Sequence, residues 1–176
     1  LPAPPGLTPV QAASIWMQYC TALAIIEAGH ATVGDYVVIR AASSSVGLAA
    51  IQLANWAGAV SIAATRRSDK AAALKEQGAQ HVVATEETDL VAEVMRITGG
   101  KGARLVFDPV GGPEVDKLAQ AMAEEGILFI YGGLSGEPTV FPHWPAAFKS
   151  LSVRGWVPSF IWGKPDRYAR AQELIL

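Results

Sequence analysis

The amino-acid sequence predicts an α/β fold, a doubly wound parallel sheet of six strands with helices on both faces. Short apolar runs rich in β-branched residues alternate with longer segments of helical period. Each parallel return needs a crossover, and right-handed crossovers cover both faces of a sheet. With 176 residues, 51% of them hydrophobic and 17% charged, the chain can bury one sizeable core, so a single domain over 1–176 is expected.

The elements follow in order. Thr8 before Pro9 and an apolar-periodic run reads as an N-cap with proline at the first helical position, which predicts a helix over 9–17. A second helical run, 20–28, ends at Gly29, so 1–30 forms a helical lead-in. Gly34 and Asp35 then turn the chain into the first strand, 36–41. Further strands are predicted over 60–64, 81–84, 105–108, 126–131 and 152–156. Helices are predicted over 46–57, 69–77, 88–98, 113–124 and 144–149, with 166–176 as the last.

Bulk chemistry narrows the partners. A net charge of −2 gives no global attraction to nucleic acid or anionic lipid. A small-molecule partner is expected, and no nucleic-acid or membrane partner. The single cysteine, Cys20, fits a reducing compartment, with the cytoplasm as the default. No stretch is long and apolar enough to span a bilayer. The chain starts without methionine or a basic leader and stops among apolar residues without a helix-ending glycine, so it is expected to be a piece of a longer protein.

The most informative segment is Val37-Val38-Ile39-Arg40-Ala41-Ala42-Ser43-Ser44-Ser45-Val46-Gly47. A buried strand breaks into small residues and opens a helix, whose first amides lack intrahelical acceptors and suit a phosphate. The dinucleotide fingerprint G-x-G-x-x-G would need glycine at Ala42, Ser44 and Gly47, and only Gly47 complies. Small residues still allow close backbone approach, while an ordinary packing turn explains the segment equally well. About 20 residues on, where an acidic residue would grip the ribose of NAD, the chain has Thr65, Arg66, Arg67, Ser68 and Lys70. Cations and hydroxyls there suit the 2′-phosphate of NADPH. Asp69 is expected to face away. A solvated basic loop is the alternative.

These features resemble the zinc-independent medium-chain dehydrogenase/reductases of the quinone oxidoreductase type. The resemblance rests on Leu7-Thr8-Pro9-Val10-Gln11, on 41–47, on Leu74-Lys75-Glu76-Gln77-Gly78-Ala79, on Val106-Phe107-Asp108-Pro109-Val110-Gly111-Gly112 and on Tyr131-Gly132-Gly133. It implies a Rossmann domain that binds NADPH, in an enzyme passing hydride to a quinone or an α,β-unsaturated carbonyl. It also implies that a second, GroES-like catalytic domain is largely absent here, so that this chain alone turns over little or nothing. Ser44, Ser45, Val46 and Gly47 would surround the pyrophosphate, and Thr65, Arg66, Arg67 and Lys70 the adenosine ribose phosphate. Thr85 stands where relatives often have a tyrosine near that phosphate. Thr21 would help hold the nicotinamide end, although a helix threonine bonded to the preceding turn is an equal reading. Val110, Tyr131, Gly132 and Gly133 would border the nicotinamide pocket, and Asp108 with its glycines reads equally well as turn chemistry. A homodimer through the edge segment 150–158, bounded by Ser150 and Pro158, is also implied.

No catalytic residue and no metal site is assigned. Zinc-dependent relatives carry a ligand cysteine at the position of Met17, and Cys20 is out of register, reading as a small core residue. His30, His81 and His143 lack metal-ligand spacing. Trp144, Trp156, Phe160 and Trp162 suit a substrate cleft, an oligomer contact or core packing. The rival readings are a fragment of a zinc-dependent alcohol dehydrogenase, a non-catalytic NADPH-sensing module and, as a minor one, nucleic-acid binding, for which Arg66, Arg67 and Lys70 form the one basic cluster.

Overall fold

Thr8 opens the first helix with a reciprocal cap: its hydroxyl oxygen accepts from the Gln11 amide at 3.3 Å, and the Gln11 side chain accepts from the Thr8 amide at 2.9 Å. The computed structural model describes residues 4–176, and the first three residues of the expected lead-in lie outside that range. Helix α1, Pro9–Ala22, is longer than the 9–17 expected and absorbs the start of the predicted second helix. Nothing between Met17 and Thr21 breaks a helix, and the chain turns only at Leu23 before the short α2, Ala24–Glu27.

The sheet then builds from β1 (Tyr36–Arg40), β2 (Val60–Thr65), β3 (His81–Ala84), β4 (Ala103–Asp108), β5 (Met122–Ile130) and β6 (Ser152–Gly155). Between them run α3 (Ser45–Trp56), α4 (Ala71–Glu76), α5 (Leu90–Ile97), α6 (Val115–Gln120) and α7 (His143–Phe148). After β6 come α8 (Ser159–Trp162) and α9 (Pro165–Ile175). All pairs are parallel, in the order β3-β2-β1-β4-β5-β6. This is the doubly wound six-stranded sheet that the sequence predicts.

Strand residues of opposite parity serve the two faces. Ile39, Phe107 and Phe129 pack with Ile25, Ile51 and Leu74 on one side. Val38, Ile62, Val106 and Leu128 pack with Val94 and Leu118 on the other. The strand order reverses between β1 and β4, and such switch points leave a crevice at the carboxyl ends of the strands.

Two local departures have tertiary causes. The helix predicted over 113–124 stops at Gln120, and the chain enters β5 four residues before the expected strand. Lys149 donates to the carbonyls of Gln120 at 2.6 Å and Met122 at 2.8 Å, and its own carbonyl accepts from Glu125, where φ is 56°. A residue 29 positions from the helix end thus stops it, which periodicity cannot register. The short α8, absent from the sequence expectation, folds where Trp156 and Phe160 pack edge to face at 5.5 Å.

Candidate functional site

β1 ends at Arg40, and the next residue, Ala41, takes a left-handed backbone with φ of 48°. The alignment of Ala42 and Ser44 with fingerprint glycines therefore misses the strained position, which lies one residue earlier. Ala42 is buried, and its amide donates to Ala64 of the neighbouring strand at 3.2 Å. Ser44 caps α3, its hydroxyl oxygen accepting from Gly47 at 3.1 Å. A Cβ on Gly47 would sit 2.5 Å from the Ala42 carbonyl and 2.7 Å from that of Ala41, so only glycine lets the helix lie this close to the turn. Among the described residues, no acceptor meets the amides of Ser45 and Val46, which face outward at the helix start.

Beside this turn lies an open cleft of about 690 Å³ at the carboxyl ends of β1 and β2. Of the residues the sequence singles out, Ser44, Thr65, Arg66, Arg67, Lys70, Thr85 and Val110 line it. The Arg66 guanidinium has no hydrogen bond or ion pair among the described residues. Arg67 is engaged, its Nε donating to Glu86 at 3.0 Å. Lys70 donates to the Ser43 hydroxyl at 3.4 Å across the cleft. Asp69, expected to face away, lines the same cleft, because a short 3-10 turn at Ser68–Lys70 carries it round before α4 begins.

The remaining candidates lie outside the cleft wall. Thr21 sits in the last turn of α1, not early in a second helix, and is 4% exposed. Its hydroxyl donates to the Met17 carbonyl at 2.6 Å, as a helix threonine does. Ser45, Val46 and Gly47 form the first turn of α3, directly after Ser44, which lines the cleft. Tyr131 stacks on Phe107 with ring centroids 4.0 Å apart, and burial pushes its phenol above the usual range. Gly132 permits a close approach, since a Cβ there would meet the Pro109 carbonyl at 2.6 Å, whereas Gly133 faces open space. Leu134 and Ser135 donate to the carbonyls of Pro109 and Val110, each at 3.0 Å, and so fasten the loops after β4 and β5 together.

Asp108 performs the turn chemistry allowed for it, accepting from Val110 at 2.8 Å and Gly111 at 3.0 Å. Sequence reasoning missed its partner. Arg40, with 12% of its side chain exposed, lies 3.5 Å from the fully buried Asp108 and 2.8 Å from Glu114, and also lines the cleft. An arginine at the end of a buried strand, opposite an aspartate ending the adjacent one, was the available signal.

Among the described residues, no group of three histidine, cysteine or acidic side chains is placed to hold a metal. Cys20 is fully buried in the core, and burial pushes its thiol up to about 11. Trp156 is core, packed edge to face on Phe129, while Trp144 and Phe148 stack on one another in the open, 65% and 78% exposed. Among the described residues no helix is long and apolar enough to cross a membrane.

Comparison with known proteins places this geometry in context. The family model described as zinc-binding dehydrogenase matches residues 45–176. The mitochondrial enoyl-[acyl-carrier-protein] reductase of Yarrowia lipolytica is 29% identical over 96% of the chain and 46% of its own length. The 2-haloacrylate reductase of Burkholderia is 30% identical over 74% of the chain and 39% of its own length. The crystal structure of Escherichia coli quinone oxidoreductase complexed with NADPH superimposes with a TM-score of 0.88 at 26% identity, over 97% of the chain and 53% of that protein. The chain thus spans about half the length, or less, of the proteins it matches.

Proposed function

The chain belongs to the zinc-binding dehydrogenase family of medium-chain dehydrogenase/reductases, and from that membership we propose that it is the NADPH-binding half of a reductase that passes hydride to an electron-poor acceptor. A quinone or an α,β-unsaturated carbonyl is the acceptor class. The names of the enoyl and haloacrylate reductases and of the quinone oxidoreductase support that class. The bound dinucleotide would supply the hydride, while this chain supplies binding, orientation and polarity. The amides of Ser45 and Val46, with the Ser44 hydroxyl, would hold the diphosphate. Arg66 and Lys70 would take the 2′-phosphate, and the loops carrying Val110, Gly132 and Gly133 would border the nicotinamide. A separate catalytic domain would complete the acceptor site, so little or no turnover is expected from this chain alone. A reducing, cytoplasmic setting accords with its one buried cysteine.

The observation that carries this reading is the Arg66 guanidinium, unpaired among the described residues, lining the same cleft as the helix start. Calorimetric titration with NADPH and NADH tests it. NADPH should bind more tightly, and Arg66→Gln should reduce that affinity roughly tenfold or more, the worth of a charge-assisted contact, while sparing NADH. Equal affinities in the unaltered chain, or no binding of either, would rule the reading out. One observation favours a second reading, a site that accepts NADH as readily. Asp69 and Glu86 line the cleft too, and a carboxylate suits ribose hydroxyls better than a phosphate.

A further inference from the structure

The loop that follows β2 is held from outside. Five hydrogen bonds join 65–68 to the segment after β3. The Thr85 amide donates to the Thr65 carbonyl at 2.8 Å, and the Thr85 hydroxyl donates to the same oxygen at 3.2 Å. The Glu86 amide donates to the Arg66 carbonyl at 2.9 Å. Glu86 accepts from the Arg67 guanidinium at 3.0 Å, and Glu87 accepts from the Ser68 amide at 2.9 Å.

Glu87 does more than brace a loop. The 3-10 turn at Ser68–Lys70 and the following α4 have no side-chain cap of their own, since Arg67 and Lys70 stand at the capping positions without such a bond. The Glu87 carboxylate supplies the missing cap from another part of the chain, at the end where an anion is favoured. Hydrogen bonds from the Ser68 amide and hydroxyl hold this carboxyl below the usual carboxylate range. Glu86 meanwhile occupies Arg67 and has its own charge balanced by it. With the residues on either side of it in sequence fastened, Arg66 has its backbone carbonyl bonded and its guanidinium free to the cleft.

We propose that Glu87, with Glu86, is a positioning residue for cofactor selectivity: it fixes the 66–70 loop so that Arg66 faces a 2′-phosphate. This rests on the NADPH reading above. A mobile loop would spread Arg66 over many orientations and lose the preorganisation that makes a single charged contact selective. Glu87 does not line the cleft, so its effect passes through Ser68 and Arg66.

The test compares Glu87→Ala with Glu87→Gln by calorimetry, using NADPH, NADH and 2′,5′-ADP as probes and thermal unfolding as a control for folding. Glu87→Ala should weaken NADPH and 2′,5′-ADP by roughly five-fold, the usual scale of a lost cap, and leave NADH within about two-fold. Glu87→Gln keeps an acceptor oxygen for the Ser68 amide and should retain most of the NADPH affinity. An equal loss of NADPH and NADH, no change in any of the three, or Glu87→Gln matching Glu87→Ala would overturn the assignment. Failure of the nucleotide reading looks different, because the unaltered chain would then show no preference for NADPH.

Discussion

Single residues show where sequence identity and geometry are tied most tightly. Gly47 has no room for a methyl group against two backbone carbonyls, and backbone cannot swing aside as a flexible side chain can. Gly47→Ala should therefore destabilise the fold by about 1–3 kcal/mol, as overpacking does, with cofactor affinity falling as α3 tilts; urea unfolding and titration measure the two effects. Asp69 is the counterpart on the polar side. Its carboxylate shares the cleft with Arg66 and Lys70, so Asp69→Asn should strengthen NADPH binding about three-fold, the scale of one solvent-screened charge, with NADH little changed or weakened. Cys20 gives a pH signature. Its thiol is pushed up to about 11 in the folded chain from an ordinary 9.0, because burial disfavours the thiolate. The folded form therefore holds the proton longer than the unfolded one, and this contribution to stability is complete below pH 9 and lost as pH rises toward 11. Cys20→Ala should flatten that part of a stability-against-pH curve, and native Cys20 should resist alkylation at neutral pH.

At the level of elements, the Arg40 cluster joins strand ends that side-chain alternation alone leaves independent. Arg40 ends β1, Asp108 ends β4, and Glu114 precedes α6, so the three tie the crevice wall together where the strand order reverses. Removing the cation would leave Asp108 buried with, among the described residues, its two amide donors. Arg40→Met should cost about 2 kcal/mol, less than a wholly stranded buried charge, and denaturant unfolding checks it. Helix α1 teaches a related point. Its start is written in Thr8, Pro9 and Gln11, whose chemistry is local, and both cap bonds form as those residues imply. Its end is not local. Trp16, Cys20 and Ala22 are drawn into the core that α3 completes, and the Tyr19 hydroxyl donates to Gln52 across that contact.

The whole molecule presents one long parallel sheet with both faces covered and two edges. One edge is β6, four residues long, bonded on a single side to β5. The Trp156 amide donates inward to Ile130, and by strand alternation the Gly155 amide points outward, where another strand can accept it. We expect a second copy of the chain to pair along this edge, so sedimentation should show a dimer. Gly155→Pro, which removes the outward donor and spares the β5 ladder, should give a monomer. A monomer in the unaltered chain would dismiss the expectation.

Strand number, the parallel doubly wound sheet and the helix start after β1 were all legible from residue order, because periodicity, caps and small-residue turns act over a few positions. The basic run after β2 was legible as well, with its crevice, because a parallel crossover carries successive strand ends to one rim. Residue order left open which of those charges are free. Arg66 and Arg67 are neighbours of identical chemistry, yet only folding brings Glu86 against the second and leaves the first open to the cleft. The same holds for Asp69, Arg40 and the end of α6, whose surroundings come from segments remote in the chain. Contacts between distant segments depend on how the layers pack, and no local pattern encodes them.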